Sequence, residues 1–292
     1  MNNSHKPIIC SSPYLRTTGY SMGVARDLFA SLNRIGIQHM ELSNTQDLWC
    51  RDYMPVSLFD DGYYAKYKYR PDYLWDKKCN HKYITEQAAA MQNLNIKTPS
   101  NMSIIFDGGN YVRCGGKVIM TDKILMENPQ WPIHELMQHL HTSLMADIIL
   151  LPWDMDEPYG HADGMVAPLP DGRLLLNNYC QTATGQKLDF YKRLLKILEP
   201  HFDLVELSYD CQLEEDSWCY LNYLRVPGAV LLPCLSKAAT CDNDQAAVEL
   251  FRKLFPQDEI IPIYSKPLIK RGGALHCVTW EYYPHNDHGT MP

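Results

Sequence analysis

Five short loops carry the side chains most capable of chemistry in this 292-residue chain. They read WCRDYMP from Trp49, DGGN from Asp107, GHADG from Gly160, SWCYLN from Ser217 and GGALHC from Gly272. The carboxylates, imidazoles, amide and thiol that they supply belong to Asp52, Asp107, His161, Asp163, Asn222, His276 and Cys277. If the loops converge, so many acids require a cation, and a thiol near a histidine can act as a nucleophile with an acid–base partner.

Two kinds of cation could satisfy this set. A metal ion would take Asp52, Asp107, Asp163 and His161 as ligands, but it would leave Cys277 without a role. A guanidinium group is planar, and its N–H groups match carboxylates in a bidentate fork. Two aspartates can therefore hold it with its carbon in front of a thiolate. We favour a small-molecule guanidinium substrate, with no metal and no other cofactor.

Each loop taken alone has a simpler explanation. An isolated Cys277 is most simply a small buried hydrophobe. DGGN and GHADG are ordinary tight-turn sequences, in which glycine permits positive φ. The joint occurrence of polar loops, one in each of five units, is what favours a shared site.

The loops recur because the chain repeats itself. Their markers Trp49, Asp107, Gly160, Trp218 and Gly272 are 53 to 58 residues apart. A helical pattern and an apolar strand precede each loop, and a hairpin follows each of the first four. The predicted helices are 22–37, 83–97, 133–145, 188–199 and 245–255. The predicted strands are 37–42, 103–106, 147–152, 203–208 and 259–264, with hairpin turns at 60–62, 114–116, 171–172 and 227–228.

Five such units closed into a ring predict an α/β propeller whose loops meet near the axis. An open α/β sheet with accidental spacing is the alternative. We see no linker and predict a single domain over residues 1–292. Residues 63–78 are aromatic and basic and depart from the repeat. We expect a partly exposed loop with strand character or a lid there, rather than a patch that stacks on nucleic acid.

Composition narrows the classes of protein further. The formal net charge of −7 argues against nucleic acid as a partner. The ten cysteines form no CxxC pair, and no apolar run is long enough for a signal peptide or a membrane span. We therefore predict a cytoplasmic protein with free thiols and no membrane partner. The histidines of the tail, His285 and His288, are interpreted as part of a flexible end rather than as metal ligands.

The motifs resemble those of a known family. WCRDYMP, DGGN followed by GGKVIMTDKIL, GHADG, YLNYL and GGALHCVT are similar, in order from Trp49 to Thr279, to the agmatine deiminase and bacterial peptidylarginine deiminase family. The resemblance implies the pentein fold, a five-bladed α/β propeller of ββαβ repeats around a central channel. It also implies a deiminase that converts a guanidinium group into a ureido group and ammonia. Family members are often dimers, so a homodimer is the expected assembly.

The resemblance further implies roles for single residues. Cys277 would attack the guanidinium carbon, and His161 would protonate the leaving ammonia and then activate water. Asp52 and Asp163 would hold the guanidinium nitrogens. The other substrate-binding candidates are Asp107, Asn222, Trp49 and Arg113. Asp107 stands where agmatine deiminases typically carry Glu, and Arg113, like Arg225 and Arg271, is a candidate for binding a substrate carboxylate.

The chain also departs from the family pattern. It lacks the PAEW–PH opening of agmatine deiminases, and it diverges after the first hairpin. Since these regions help to recognise the tail of the substrate, agmatine, free arginine and peptidyl arginine all stay open. An amidinotransferase and a catalytically silent binding module are the alternatives to a deiminase. The GGALHC ending favours hydrolysis, and the presence of the Cys, the His and both acids disfavours a silent module.

Overall fold

The computed structural model describes residues 6–284, whose strands form five three-stranded sheets. In chain order the strands are β1 (Ile8–Ser11), β2 (His39–Glu41), β3 (Val56–Ser57), β4 (Tyr63–Lys68), β5 (Lys97–Ile105), β6 (Val112–Cys114), β7 (Lys117–Thr121), β8 (Asp147–Leu151), β9 (Val166–Pro168), β10 (Leu174–Leu176), β11 (Leu204–Glu206), β12 (Leu224–Val226), β13 (Ala229–Cys234), β14 (Glu259–Tyr264) and β15 (Trp280–Tyr282). The sheets, which we call blades 1 to 5, are β15-β1-β2, β3-β4-β5, β6-β7-β8, β9-β10-β11 and β12-β13-β14. In each blade the middle strand pairs antiparallel on one side and parallel on the other.

Four long helices pack against the blades. They are α1 (Met22–Arg34), α2 (Ile133–Leu144), α3 (Gln186–Leu198) and α4 (Asp242–Leu254). Each buries a stripe of apolar residues at helical spacing, as α1 does with Val24, Leu28 and Leu32. The short helices are Tyr14–Thr17, Cys50–Tyr53, Asp72–Trp75, Gln87–Ala90, Lys123–Glu127, Tyr179–Thr182 and Lys266–Ile269, and the 3₁₀ turns are Lys78–Tyr83, Gly108–Asn110, Ala162–Gly164, Glu215–Leu221 and Lys237–Ala239.

The blades close into a ring. Five apolar clusters each join two consecutive blades, and one of them joins blade 5 to blade 1 through Ile9, Leu231 and Ile261. The last strand, β15, pairs with β1 and so ties the end of the chain to its start. The predicted five-bladed α/β arrangement is confirmed. That the whole of 1–292 is one domain stays a prediction.

The helix predicted over 83–97 is wrong. Only Gln87–Ala90 is α-helical there, and β5 already begins at Lys97, earlier than the predicted strand. The backbone is bound to other parts of the ring, because Thr85 Oγ1 accepts from the Gln46 amide at 2.8 Å and the Asn95 amide donates to the Tyr282 hydroxyl at 2.9 Å. These long-range contacts outweigh a weak helical preference. The other four helices are confirmed, with ends that shift by a few residues.

Residues 63–78 are partly regular structure. Tyr63–Lys68 is β4, the middle strand of blade 2, so the predicted strand character is confirmed. The short helix Asp72–Trp75 follows, and its Asp72 and Tyr73 reach Lys123 and Tyr159. Whether this helix acts as a lid stays a prediction.

Two further predictions concern membrane-spanning segments and the histidines of the C-terminal tail. No helix within residues 6–284 is long and apolar enough to cross a membrane. His285 and His288 lie outside the described residues.

The topology gives the ring two different faces. In blades 2 to 5 the first strand starts at one of the polar loops and ends at a hairpin turn. The polar loops therefore gather at one face, and the hairpin turns at the other. A cavity opens at each face.

Candidate active site

Asn222 fixes the loop that carries Cys277. Its side-chain oxygen accepts from the amides of Ala274 and Cys277, at 3.0 and 3.2 Å, and its backbone carbonyl accepts from the His276 amide at 3.1 Å. Its side-chain nitrogen donates to Cys277 Sγ at 3.0 Å. Both side chains are buried. Asn222 thus sets the loop conformation and places a hydrogen-bond donor on the sulfur.

His161 lies between two buried carboxylates. Its Nε2 is 3.1 Å from Asp107 Oδ2, and its Nδ1 is 3.8 Å from Asp52 Oδ1. The other oxygen of Asp107 and Oδ1 of Asp52 are buried without a hydrogen-bond partner among residues 6–284. Buried carboxylate oxygens without donors are costly, so these acids have capacity for a further N–H group.

The electrostatics of the three groups oppose one another. Burial alone would lower the pKa of His161, but Asp52 and Asp107 outweigh it and raise that pKa to about 10. Burial raises the pKa of Asp52 to about 7, with Asp107 and Asp163 adding to the rise and His161 opposing it. Burial, followed by Asp163 and Asp52, raises the pKa of the Cys277 thiol well above its usual value. At neutral pH these shifts favour an imidazolium at His161 and a neutral thiol at Cys277.

Asp163 lines the same cavity as His161 and contacts the loop of Cys277. Its Oδ2 is 2.8 Å from His276 Nδ1, and it is electrostatically coupled to both Cys277 and Asp52. Among residues 6–284, no group of three or more His, Cys, Asp and Glu side chains has an arrangement that could hold a metal ion. Asp163 instead faces the thiol as a hydrogen-bonded carboxylate.

Two glycines explain the close approach of these groups. A Cβ at Gly109 would lie 2.5 Å from His161 Nδ1 and 2.9 Å from Asp52 Oδ1. A Cβ at Gly273 would collide with the ring of Trp49 and lie 3.1 Å from Cys277 Cβ. Close packing at the site therefore requires glycine at Gly109 of DGGN and at Gly273 of GGALHC. Trp49 covers the backbone beside the nucleophile.

Lys123 belongs to the site but was not among the sequence candidates. Its side chain is 2% exposed, and its ammonium lies 3.6 Å from Asp107, 3.4 Å from Glu127 and 3.1 Å from Asp72. It also donates to the Tyr159 carbonyl at 2.7 Å. Burial opposes its charge, but the acids raise its pKa, whereas burial and Asp107 raise the pKa of Glu127 to about 8. The only sequence signal was its position in GGKVIMTDKIL, after the DGGN hairpin.

A cavity of about 590 Å³ opens onto Cys277, His161, Asp163 and Asn222. Its outer wall is strongly acidic, formed by Asp154, Asp156, Glu157, Glu214, Glu215 and Asp216. Besides His161, Lys187 is the one basic side chain among its described lining residues, and it is held by Asp156 at 2.7 Å and Asp154 at 3.4 Å. The mouth therefore presents excess negative charge.

The structure contradicts the candidacy of Arg113. Its guanidinium donates to the carbonyls of Leu144 and Met145, at 2.9 and 3.2 Å, and so caps the C-terminus of α2. It lines the cavity of about 1020 Å³ on the other face of the ring, together with Arg225. Arg271 donates to the Pro267 carbonyl and does not line the Cys277 cavity. Of the other residues predicted for the site, four line the cavity: Cys277, His161, Asp163 and Asn222. Asp52 and Asp107 do not line it but contact His161, and Trp49 packs against Gly273 beside Cys277.

Comparison with known proteins agrees with this arrangement. The family model described as Porphyromonas-type peptidyl-arginine deiminase matches residues 18–283. The agmatine deiminase of Pseudomonas aeruginosa (strain UCBPP-PA14) is 24% identical over 311 residues, covering 89% of this chain and 80% of that protein. The solved structure of C. jejuni agmatine deiminase superposes with a TM-score of 0.71 at 14% identity, covering 95% of this chain and 93% of that one.

The same fold also serves a different reaction. A solved amidinotransferase from Microseira wollei superposes with a TM-score of 0.58 at 13% identity, covering 98% of this chain and 96% of that one. The family match is the more specific finding, since it spans most of the chain. This chain belongs to the Porphyromonas-type peptidyl-arginine deiminase family, and its predicted class, a hydrolase of C–N bonds in linear amidines, is confirmed.

Proposed function

We propose that this chain, as a member of that deiminase family, hydrolyses the guanidinium group of a small substrate to a ureido group and ammonia through a thiouronium on Cys277. One observation carries the proposal. Two buried acids, Asp52 and Asp163, are coupled to the thiol, and Asp52 has one oxygen that receives no hydrogen bond from residues 6–284. A guanidinium between them supplies the missing N–H groups and the missing positive charge.

The first half of the reaction forms the covalent intermediate. The bound cation offsets the negative field that keeps the Cys277 thiol neutral, so the thiol loses its proton to solvent. The thiolate adds to the guanidinium carbon, which gives a tetrahedral adduct. His161, held as an imidazolium, donates its proton to the departing nitrogen. Ammonia leaves, and the carbon stays bonded to sulfur as a thiouronium.

The second half regenerates the enzyme. The now neutral His161 takes a proton from water as the water oxygen attacks the thiouronium carbon. The C–S bond then breaks, the proton of the new hydroxyl group passes to the departing Cys277 sulfur, which leaves as the thiol, and the neutral ureido product departs. His161 is again protonated, ready to act as the acid of the next cycle. Asp107 contacts the imidazole and stabilises its charged form, and Lys123 in turn pairs with Asp107 at 3.6 Å.

The walls of the cavity favour a substrate with a cationic tail. Free or peptidyl arginine would bring a carboxylate or a peptide carbonyl to the mouth, where acids dominate. None of the three arginines considered for that role lines this cavity. We therefore propose agmatine, whose tail is an ammonium, or a similar dicationic guanidine as the preferred substrate. A cytoplasmic location and a homodimer stay predictions.

The test is ammonia release from agmatine, free arginine, an arginyl peptide and methylated arginines. We expect agmatine to react fastest and Cys277→Ala to abolish turnover, with the exposed Cys79→Ala as the matched control that retains it. Mass spectrometry of the quenched reaction should find the amidino adduct on Cys277. Absence of ammonia from every guanidine would refute the deiminase. Ammonia-free transfer of the amidino group to an added amine would identify the amidinotransferase instead.

A further inference from the structure

His276 precedes the nucleophile in sequence, but it lies at the hairpin face of the ring. It lines the larger cavity on the hairpin face and is absent from the described lining of the Cys277 cavity. Its side chain is 26% exposed, whereas that of Asp163 is 6% exposed. His276 therefore contacts Asp163 from the hairpin face, whereas Asp163 also lines the cavity of Cys277.

The contact has a defined polarity. His276 Nδ1 lies 2.8 Å from Asp163 Oδ2, and an ionised carboxylate can only accept a hydrogen bond. The imidazole therefore carries its proton on Nδ1 and donates it. This bond fixes one oxygen of Asp163 and leaves the other oxygen for a guanidinium N–H group.

The other hydrogen bonds of His276 hold its backbone, although its ring also lies in the electrostatic field of Glu281. Its amide donates to the Asn222 carbonyl at 3.1 Å, and its own carbonyl accepts from Arg51 Nε at 3.5 Å. Arg51 is in turn paired with Glu281 at 2.6 Å. Because these contacts use the main chain, a change of the His276 side chain should leave Cys277 in place.

We infer that His276 is a positioning residue: its Nδ1–H holds Asp163 in the orientation that binds the guanidinium, without itself touching the substrate. The inference rests on the proposed function, since it assigns Asp163 to the cation. The role of His276 has an effect that can be measured separately from turnover. Loss of the donor should weaken recognition of a cation while sparing the intrinsic reactivity of the thiol.

Two variants separate the hydrogen bond from the bulk of the ring. His276→Leu removes the donor at similar size, whereas His276→Asn keeps a side-chain N–H close to the place of Nδ1. Alkylation of Cys277 would be followed by peptide mass spectrometry with two reagents, a cationic haloacetamidine and neutral iodoacetamide. The KM and kcat for ammonia release would be measured alongside, and thermal unfolding would check the fold.

For His276→Leu we expect KM to rise by about tenfold or more and the preference for haloacetamidine to fall by about as much, since a hydrogen bond to a charged group is lost. The rate with iodoacetamide should stay within about twofold of wild type, as expected when a site is changed without new strain. His276→Asn should recover most of both losses. That pattern separates a positioned carboxylate from a loop that has merely been loosened.

The outcomes that would overturn the inference are distinct from those that would overturn the proposed function. Unchanged KM and selectivity in His276→Leu, with wild-type turnover intact, would remove the role of His276 alone. Equal damage in both variants, with slower iodoacetamide alkylation, would assign His276 to loop structure and also overturn it. If wild type selects haloacetamidine through His276 but deiminates no guanidine, the inference survives and the proposed reaction fails.

Discussion

The two faces of the ring hold cavities that differ in electrostatic character: one is lined by paired charges of both signs, the other mainly by acids. The cavity on the hairpin face is the larger, at about 1020 Å³ against about 590 Å³, and it is lined by several charged groups. The arginines that line it are already bound by carboxylates or backbone carbonyls of the protein. Arg51 is paired with Glu281 at 2.6 Å, Arg225 with Asp258 at 2.8 Å, and Arg113 binds backbone carbonyls. This face offers volume with little unmet charge.

The loop face shows the reverse. Within the described part of the chain, Asp52 and Asp107 each have a buried oxygen without a donor, and the acids that line the mouth far outnumber the cations. Burying a carboxylate without a partner is costly, and such a cost persists where a ligand relieves it. Unpaired negative charge, rather than the volume of the cavity, therefore indicates the binding site in this ring.

The first prediction, which has the largest expected effect, compares the loss of one acid from each face of the ring. We expect Asp52→Asn to lower kcat/KM for the best guanidine about a thousandfold, because a buried charge pair with the substrate, worth about 4 kcal/mol, is lost. Asp258→Asn, the matched change on the hairpin face, should leave turnover unaltered. Steady-state ammonia release decides between them. Equal losses would mean that both faces serve the reaction.

The second prediction concerns the cation buried behind the loop face. Lys123→Met removes the ammonium shared by Asp72, Asp107 and Glu127, so we expect the free energy of unfolding to fall by about 3 kcal/mol. Lys187→Met removes a lysine at the mouth that is 28% exposed, and it should change stability by less than about 1 kcal/mol. Urea unfolding measures both. A small effect at Lys123 would show that the acids around it are already neutral.

Much of the fold could be predicted because its signals are periodic. Helices α1 to α4 each bury one face at helical spacing, and the polar loops recur at a nearly constant interval. The segment 83–97 showed a similar pattern but is mostly not helical. Its conformation depends on partners about 40 and 190 residues away, such as Gln46 and Tyr282, and a local pattern contains no information on them.

The residues of the site likewise fall into those that the sequence could predict and those that it could not. Cys277, His161, Asp52 and Asp163 could be placed because each stands at the same point of its repeat. Lys123 was missed since a lysine in an ordinary sequence context indicates the surface, and its burial depends on acids from separate segments. Arg113 was a candidate only because of its charge. Its position was decided by the carbonyls at the end of α2, which attract cations.

The third prediction uses the titration of the loop face. Burial raises the pKa of Asp52 to about 7. A guanidinium binds the ionised carboxylate, so affinity should strengthen as pH rises through 7, by about tenfold between pH 6 and pH 8. Calorimetry of agmatine binding to Cys277→Ala measures this, and two buffers of different ionisation enthalpy should reveal the proton released at pH 6. A flat profile without proton release would mean that Asp52 is ionised in the empty site.

The fourth prediction has the smallest expected effect and compares residues at the rims of the two cavities. Glu215 is exposed at the acidic mouth, so Glu215→Gln should raise KM for a dicationic guanidine by only about threefold, as a solvent-screened charge allows. The effect should shrink with added salt. Asp60→Asn, at the rim of the hairpin face, should change neither KM nor its salt dependence. If Glu215→Gln affected free arginine and agmatine equally, the mouth would be acting on the guanidinium end, and its acids would say nothing about the tail of the substrate.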